Sequence, residues 1–236
     1  MKNISNQNKN DRLLTANVIG ATGLVGKQLI NLLLSDPLFT KVRIFVRRDA
    51  GITHPKLEQH VVEFNDSGTW EKHLTGDILF SALGTTLRKA GSKDKQYEVD
   101  FRLNLKFANK AKENGIGTYV LVSSIGADSR SKIFYSRIKG ELDDAVMNLG
   151  FRKLAILRPS MLLGERDENR WMEKISIPVF RMLTRFLFKK YRPIEGRTVA
   201  KAMIAASLAP PSGKIIWTAS EIFDLAKDDG STGIRK

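Results

Sequence analysis

The 236-residue chain has no cysteine. That excludes a disulfide framework, a thiol nucleophile and any metal site built on thiolates. Histidine is scarce as well. His54, His60 and His73 are the whole complement, their spacing matches no ligand pattern, and they read as surface or core histidines. No apolar run approaches the ~18 residues that a membrane-spanning helix needs. The opening stretch, MKNISNQNKNDR, is polar and lacks the apolar centre of a signal peptide. Residues 1–13 are therefore read as a disordered leader, and the expected location is cytoplasmic. No zinc-finger, homeodomain or aromatic-basic RNA-binding signature is present.

Positive charge is abundant. The formal net charge is +14, which suits nucleotides, nucleic acid or an anionic membrane surface. The charge is spread over most of the chain, so no specific nucleic-acid partner is expected. The apolar fraction, 42%, fits one α/β domain with a large core.

Apolar periodicity divides the chain into alternating strands and helices. TANVIG reads as a strand, followed by a glycine turn and a helix with Leu24, Val25, Leu29, Leu32 and Leu33 at helical spacing. Asp36-Pro37 stops that helix. Further strands are read in KVRIFVRR, HVVEFN, DILFSAL, TYVLVSS and KLAILRPS, with a short helix in GTWEKHL. A long helix runs to about Lys112, and another carries Tyr135 and Lys139 to about Gly150. Most of the strands are continuous apolar runs, the pattern of a parallel sheet covered on both faces. The fold class predicted is α/β, a Rossmann doubly wound parallel sheet of order 3-2-1-4-5-6 with a small, mostly helical C-terminal cap. Residues 14–236 form one dinucleotide-binding domain in this reading. Residues 160–236 supply the substrate-side cap, with no clear βαβ unit.

Gly20, Gly23 and Gly26 form G-x-x-G-x-x-G at the first strand–helix junction. Glycines there allow a tight turn, close approach to a pyrophosphate and close helix packing, with phosphate oxygens meeting free N–H groups at the helix start. The turn Gly20, Ala21, Thr22, Gly23, Leu24, Val25 and Gly26 is thus a predicted cofactor cradle. An acid about 20 residues further on would favour NAD, and an arginine NADP. Arg47 stands 21 residues after Gly26, beside Arg48. Two guanidinium groups can clamp a 2′-phosphate, so NADP(H) is favoured over NAD(H). Asp49 can still serve a ribose hydroxyl. Asp66 can bond the adenine amine or cap the helix that follows it.

Ligands of this architecture sit outside the carboxyl ends of the strands. Ala82, Leu83, Gly84 and Thr85 follow strand four there, Ser123 and Ser124 end strand five, and Pro159 ends strand six. Tyr135 and Lys139 lie one turn apart on one helix face. That geometry suits carbonyl reduction. The tyrosine donates a proton to the carbonyl oxygen, and the lysine holds the nicotinamide ribose and lowers the tyrosine pKa. Bringing a tyrosine from ~10 to ~7 takes roughly 4 kcal/mol. A cation ~4 Å away at an effective dielectric of about 20 supplies a term of that order. Asp100 and Asn104, on the preceding helix, are weaker candidates for a proton relay and read as solvated.

The segments GATGLVG, ALGTT with KAG, LVSSIGAD, FYSRIKGELD and LRPSMLLGER together resemble the short-chain dehydrogenase/reductase superfamily. Within its atypical G-x-x-G-x-x-G branch they are similar, in the same order, to the Tat-interacting-protein-like oxidoreductases. The resemblance spans about residues 15–205. It implies an NADPH-binding Rossmann domain with Tyr135 as acid/base, Lys139 as its partner and Ser124 as the carbonyl-binding serine, Ser123 being the alternative. The gap from serine to tyrosine is short and leaves little loop to shape a substrate pocket. The implied function is an NADPH-dependent oxidoreductase acting on a small-molecule carbonyl. Two other readings are an NADP(H)-binding sensor that works through a protein partner and an enzyme like the nucleotide-sugar epimerases or dehydratases.

VFRMLTRFLFKKYR, residues 179–192, places Val179, Phe180, Met182, Leu183, Phe186 and Leu187 on one helical face and Arg181, Arg185 and Lys189 on the other. A cap helix over the cleft is the favoured reading. A homodimer contact, peripheral contact with an anionic membrane and contact with nucleic acid are the competing ones.

Overall fold

The computed structural model describes residues 13–163, 192–210 and 215–227. Its centre is a wholly parallel sheet of seven strands. In chain order these are β1 (Leu14–Ile19), β2 (Phe39–Val46), β3 (Leu57–Val61), β4 (Ile78–Ser81), β5 (Thr118–Val122), β6 (Lys153–Arg158) and β9 (Ile216–Thr218). They lie in the order β3-β2-β1-β4-β5-β6-β9. β4 and β5 are buried at every position, as their unbroken apolar sequences require of strands covered on both faces. β7 (Leu162–Leu163) and β8 (Ile194–Glu195) pair separately as a short parallel ribbon.

Helices cover both faces. α1 (Leu24–Ser35), α6 (Gly196–Leu208) and α7 (Ala219–Leu225) lie over one, where Leu29, Leu33, Val199, Met203 and Ile222 pack on Val18, Ile44, Phe80 and Val120. α4 (Asn104–Glu113) and α5 (Phe134–Met147) lie over the other. There Phe107, Leu142 and Val146 pack on Ile19, Leu79, Tyr119 and Leu121. Odd and even strand positions thus serve opposite cores, as the two-residue strand period dictates.

The predicted order of six strands is observed, and a seventh is added. β9 is reached from β6 through α6, which packs against α1. The stretch after Arg158 therefore does contain a βαβ unit, contrary to the expectation. GTWEKHL is not one helix but two 3-10 turns, Ser67–Thr69 and Glu71–His73. Trp70 between them is fully buried and stacks on Phe107 at 3.9 Å, so tertiary packing sets the local form. α2 (Leu87–Ala90) and α3 (Lys93–Tyr97) precede a π-helical turn, Glu98–Leu103, that runs into α4. Gly115 follows α4 with φ +81°, the left-handed stop that glycine supplies. The 179–192 segment lies outside the described residues except for Arg192. So does the leader, except for Leu13. No helix among the described residues is long and apolar enough to cross a membrane.

Candidate active site

Order reverses between β1 and β4, the switch point where ligands of this architecture bind, and the Gly20 turn, the loop after β4 and Lys139 come together there. Gly20 leaves β1 with φ +78°, and a Cβ there would lie 2.4 Å from the Ala82 carbonyl carbon. A Cβ on Gly26 would lie 2.1 Å from the Gly20 carbonyl oxygen, and one on Gly23 3.2 Å from it. The turn from Gly20 through Ala21, Thr22 and Gly23 is thus wound tightly against the Ala82–Leu83 backbone. α1 then begins without a side-chain cap and without an acid in its first turn. Its first bond is the Lys27 N–H to the Gly23 carbonyl, 3.0 Å, so the amides of Leu24, Val25 and Gly26 precede any intrahelical partner. This donor set fits a pyrophosphate.

Arg47 and Arg48 stand exposed just past β2. Asp49 is turned away into its own loop, accepting the Gln59 side-chain amide at 2.7 Å and the Gly51 N–H at 2.8 Å. These two bonds, Gln59's the larger, hold its carboxyl below the ordinary range. Asp66 caps the first 3-10 turn by accepting the Gly68 N–H at 3.1 Å. That is the capping role, on a turn rather than a helix.

α5 presents Tyr135, Lys139 and Asp143 at successive turns of one face, running from surface to core. Tyr135 is 41% exposed, Lys139 3% and Asp143 not at all. The Lys139 ammonium lies 6.0 Å from the Tyr135 ring centre and 2.8 Å from Oδ1 of Asp100. Burial alone would pull the Lys139 pKa down. The Asp100 charge, with Tyr135 and Asp143, outweighs it, and the net direction is upward. Asp143 takes both the Nε and an Nη of Arg158 on one oxygen, at 2.8 Å each. Burial still raises its pKa, against the Ser123 hydroxyl and the Arg158 and Lys139 charges.

The two serines separate. Ser123 is buried against Asp143, with its N–H on the Leu157 carbonyl at 2.7 Å. Ser124 is half-buried in the turn beyond, its hydroxyl on the Ile125 carbonyl at 3.2 Å. The Ile125 N–H bonds the Pro159 carbonyl at 2.9 Å, which ties the ends of β5 and β6 together. Gly140 explains how so short a loop reaches α5. A Cβ there would lie 2.1 Å from the Ser129 nitrogen, so the loop crosses the helix directly over this residue.

Asp100 and Asn104 correct the sequence reading. They were expected to be solvated, yet both are fully buried. With Gln96 they stand at four-residue spacing and hold the loop after β4 by its backbone. Gln96 donates to the Thr85 carbonyl at 3.3 Å, Asp100 accepts the Thr85 N–H at 3.0 Å, and Asn104 donates to the Leu83 carbonyl at 3.2 Å. The Ser81 hydroxyl completes the set by donating to Asn104. Gln96 escaped the sequence reading altogether. Its signal was Q-x-x-x-D-x-x-x-N within an otherwise charged helix. His60 and His73 stack at 4.4 Å, and the described residues hold no cluster suited to a metal.

Comparison with known proteins agrees with this geometry. Residues 20–174 match the family model described as NAD(P)H-binding. "Protein fmp52, mitochondrial" of Emericella nidulans is 33% identical over 225 residues, 90% of this chain and 95% of that protein. "Protein FMP52, mitochondrial" of Saccharomyces cerevisiae is 41% identical over 157 residues, 65% of this chain and 68% of that one. Relatives in several fungi carry the mitochondrial designation, which overturns the expectation of a cytoplasmic location. Among solved structures, MoeE5 in complex with UDP-glucose and NAD superposes with a TM-score of 0.65 at 13% identity, covering 92% of this chain and 82% of its own. A short-chain dehydrogenase family protein from Francisella tularensis gives 0.64 at 12% identity, covering 89% and 98%. These two share the fold. The chain belongs to this NAD(P)H-binding family.

Proposed function

We propose that this protein is an NADPH-dependent oxidoreductase that reduces a carbonyl group, with Tyr135 as proton donor, Lys139 as its partner and Ser124 as the residue that holds the carbonyl oxygen. The observation that carries the reading is the α5 face. Tyr135 opens toward solvent, while one turn deeper Lys139 is buried and ion-paired, beside a loop built for a dinucleotide. A lysine is seldom buried without a task, because desolvation of its charge must be offset by a partner.

The glycine turn and the α1 amides would hold the pyrophosphate, and Lys139 the nicotinamide ribose. When bound, the reduced nicotinamide supplies the hydride. Tyr135 gives its phenolic proton to the carbonyl oxygen as the reduction proceeds, and the Ser124 hydroxyl, which can rotate away from the Ile125 carbonyl, donates to the same oxygen. The short loop from Ser124 to α5 crosses that helix at Gly140. Preference for NADPH is supported by the exposed Arg47 and Arg48 and by the engagement of Asp49 with Gln59 and Gly51. The mitochondrial names of the relatives support a mitochondrial address.

A second reading, an NADP(H)-binding protein that acts through a protein partner, draws on the exposure of Ile133, Tyr135 and Met161, at 67%, 41% and 52%. Such a surface can dock a partner as well as a substrate. A panel of aliphatic and aromatic carbonyls, with NADPH consumption followed against product formed, separates the two. Stoichiometric turnover supports the oxidoreductase. Tight NADPH binding without turnover of any carbonyl supports the sensor.

A further inference from the structure

We infer that the carbonyl compound taken by this site has an apolar body and a single carboxylate, the body lying on the exposed apolar side chains around Tyr135 and the carboxylate meeting Lys93. The inference rests on the reductase reading of Tyr135 and names the substrate class of that same site.

The apolar part follows from where exposed side chains stand. Leu24, Leu87, Ile133, Tyr135 and Met161 are all exposed. They belong to the connections that follow β1, β4, β5 and β6, the segments that border the ligand crevice of this architecture. Outside these connections, only Leu13, Val61 and Leu208 among the described residues are large, apolar and exposed. The patch is continuous with the site, because Tyr135 belongs to it and Ile133 is the N-cap of the same helix. Apolar surface gathered around a reactive group marks a ligand face. A polar sugar laid on it would leave hydroxyls without partners. An alkyl or aryl body has none to lose.

The acidic part follows from a cation without a counterion. Lys93, in the first turn of α3, holds its ammonium 5.5 Å from the centre of the Phe134 ring, next in the chain to Tyr135. The ring directs the ammonium without neutralising it. No carboxylate among the described residues pairs with Lys93. The acids nearby are engaged or turned aside. Glu141 takes Arg137 at 3.7 Å and the Tyr97 hydroxyl. Asp128 takes the Arg130 N–H at 3.0 Å and its guanidinium at 3.8 Å. Glu98 takes Arg102 at 3.2 Å. Asp94, next along α3, stands about 100° round the helix. Arg137 lies 5.7 Å from the same ring centre, but it is shared between Glu141 and the Ser131 carbonyl, the latter at 3.3 Å. Lys89, Lys95 and Lys132 stand exposed, and Lys93 is the lysine that packing fixes beside the start of α5. One uncompensated charge matches a carboxylate. A phosphate monoester carries about −1.5 to −2 and would be only half matched.

Three aldehydes separate the two parts. para-Carboxybenzaldehyde carries both, para-methylbenzaldehyde the apolar body alone, and glyoxylate the carboxylate alone. With NADPH saturating, kcat/KM for the first should exceed that for the second by about fivefold, the upper worth of an ion pair open to water. It should exceed that for glyoxylate by about tenfold or more, since a ring buries several carbons. Lys93→Gln should bring the two benzaldehydes within about twofold of each other by lowering the carboxylated one alone; a merely structural role would move all three aldehydes alike. Ile133→Thr should lower both benzaldehydes about fourfold, the worth of one buried methylene, and spare glyoxylate. Calorimetry on the NADP⁺-loaded protein reads binding without turnover. para-Toluate should bind about fivefold tighter than para-toluamide, and the difference should vanish in Lys93→Gln. Equal kcat/KM for the two benzaldehydes, equal affinities for the toluate and its amide, or either preference surviving in Lys93→Gln overturns the inference. Turnover without these preferences leaves the reductase reading standing and removes this one. Selective binding of para-toluate without turnover of any aldehyde supports the ligand class and counts against the reductase.

Discussion

Replacing Gly20 with alanine should cost stability by two routes at once, and the structure lets them be separated. The residue sits at φ +78°, where an L side chain is strained, at a cost of about 1–2 kcal/mol. Its new Cβ would also meet Ala82 carbon and oxygen at 2.4 Å and Leu83 nitrogen at 2.5 Å. These are backbone atoms of a half-buried loop whose backbone Gln96, Asp100 and Asn104 hold, and they cannot rotate aside. Forcing a methyl into packed structure adds typically about 1–3 kcal/mol. Together the loss is about 2–5 kcal/mol, against a total stability of ~5–15 kcal/mol for a domain. Gly150 is the matched control. It has φ +65° with nothing within 4 Å of its Cβ position, so Gly150→Ala pays the conformational part alone, about 1–2 kcal/mol. Urea denaturation of both variants reads the difference. Gly20→Ala should lose about twice as much as Gly150→Ala or more, and should lose NADPH binding while Gly150→Ala keeps it. Equal destabilisation would show that the Gly20–Ala82 contact relaxes freely, and the account of the glycine turn would fail.

Arg47→Ala with Arg48→Ala should erase the preference for NADPH over NADH, at about 1.5–3 kcal/mol per charged hydrogen bond lost; fluorescence titration with each cofactor checks it, and an unchanged ratio refutes the clamp. Gly140→Ala should destabilise the protein although alanine is the better helix former by ~0.8–1.0 kcal/mol, because the added methyl would meet Ser129 nitrogen at 2.1 Å; a raised thermal midpoint would contradict the loop crossing. His60 titrates below the ordinary histidine value through burial first, then the charges of His73 and Arg43, against Glu58. A depressed histidine contributes stability that is present above its unfolded pKa of ~6.5 and is lost as pH falls through the folded one. His60→Phe should therefore flatten the decline in stability between about pH 7 and pH 5, and parallel denaturation curves for the two proteins would refute the assignment.

Much of the fold was legible because parallel strands covered on both faces write unbroken apolar runs. β4 and β5 announce themselves this way, and Gly20, Gly23 and Gly26 mark where the first turn must be tight. β9 was not legible. Its three residues, Ile216–Thr218, are too few to show a period, and their pairing with β6 is long-range. Trp70 misled for a related reason: its burial against Phe107 overrides the helical character of the residues around it. At the site, the Tyr135–Lys139 pair was visible as a four-residue spacing. Gln96, Asp100 and Asn104 share that spacing, yet in KDKQYEVDFRLN polar residues stand on every side, and the sequence does not show which of them point inward. Their burial follows from backbone groups of the loop after β4 that need partners, and those appear only once β4 and α4 are packed together. Gly140 hides similarly, since a glycine inside a helix reads as a weak point until the crossing loop is seen.

The proposed chemistry stands or falls on one hydroxyl. NADPH oxidation and product formation are measured with the most active carbonyl of the panel, for the wild type and Tyr135→Phe, with NADPH affinity determined on the same preparations. Removal of the phenolic hydroxyl should reduce turnover about 10²–10⁴-fold, the worth of a general acid, while NADPH affinity stays unchanged because the ring remains. Undiminished turnover in Tyr135→Phe, with cofactor still bound, would contradict the assignment of Tyr135 as the proton donor.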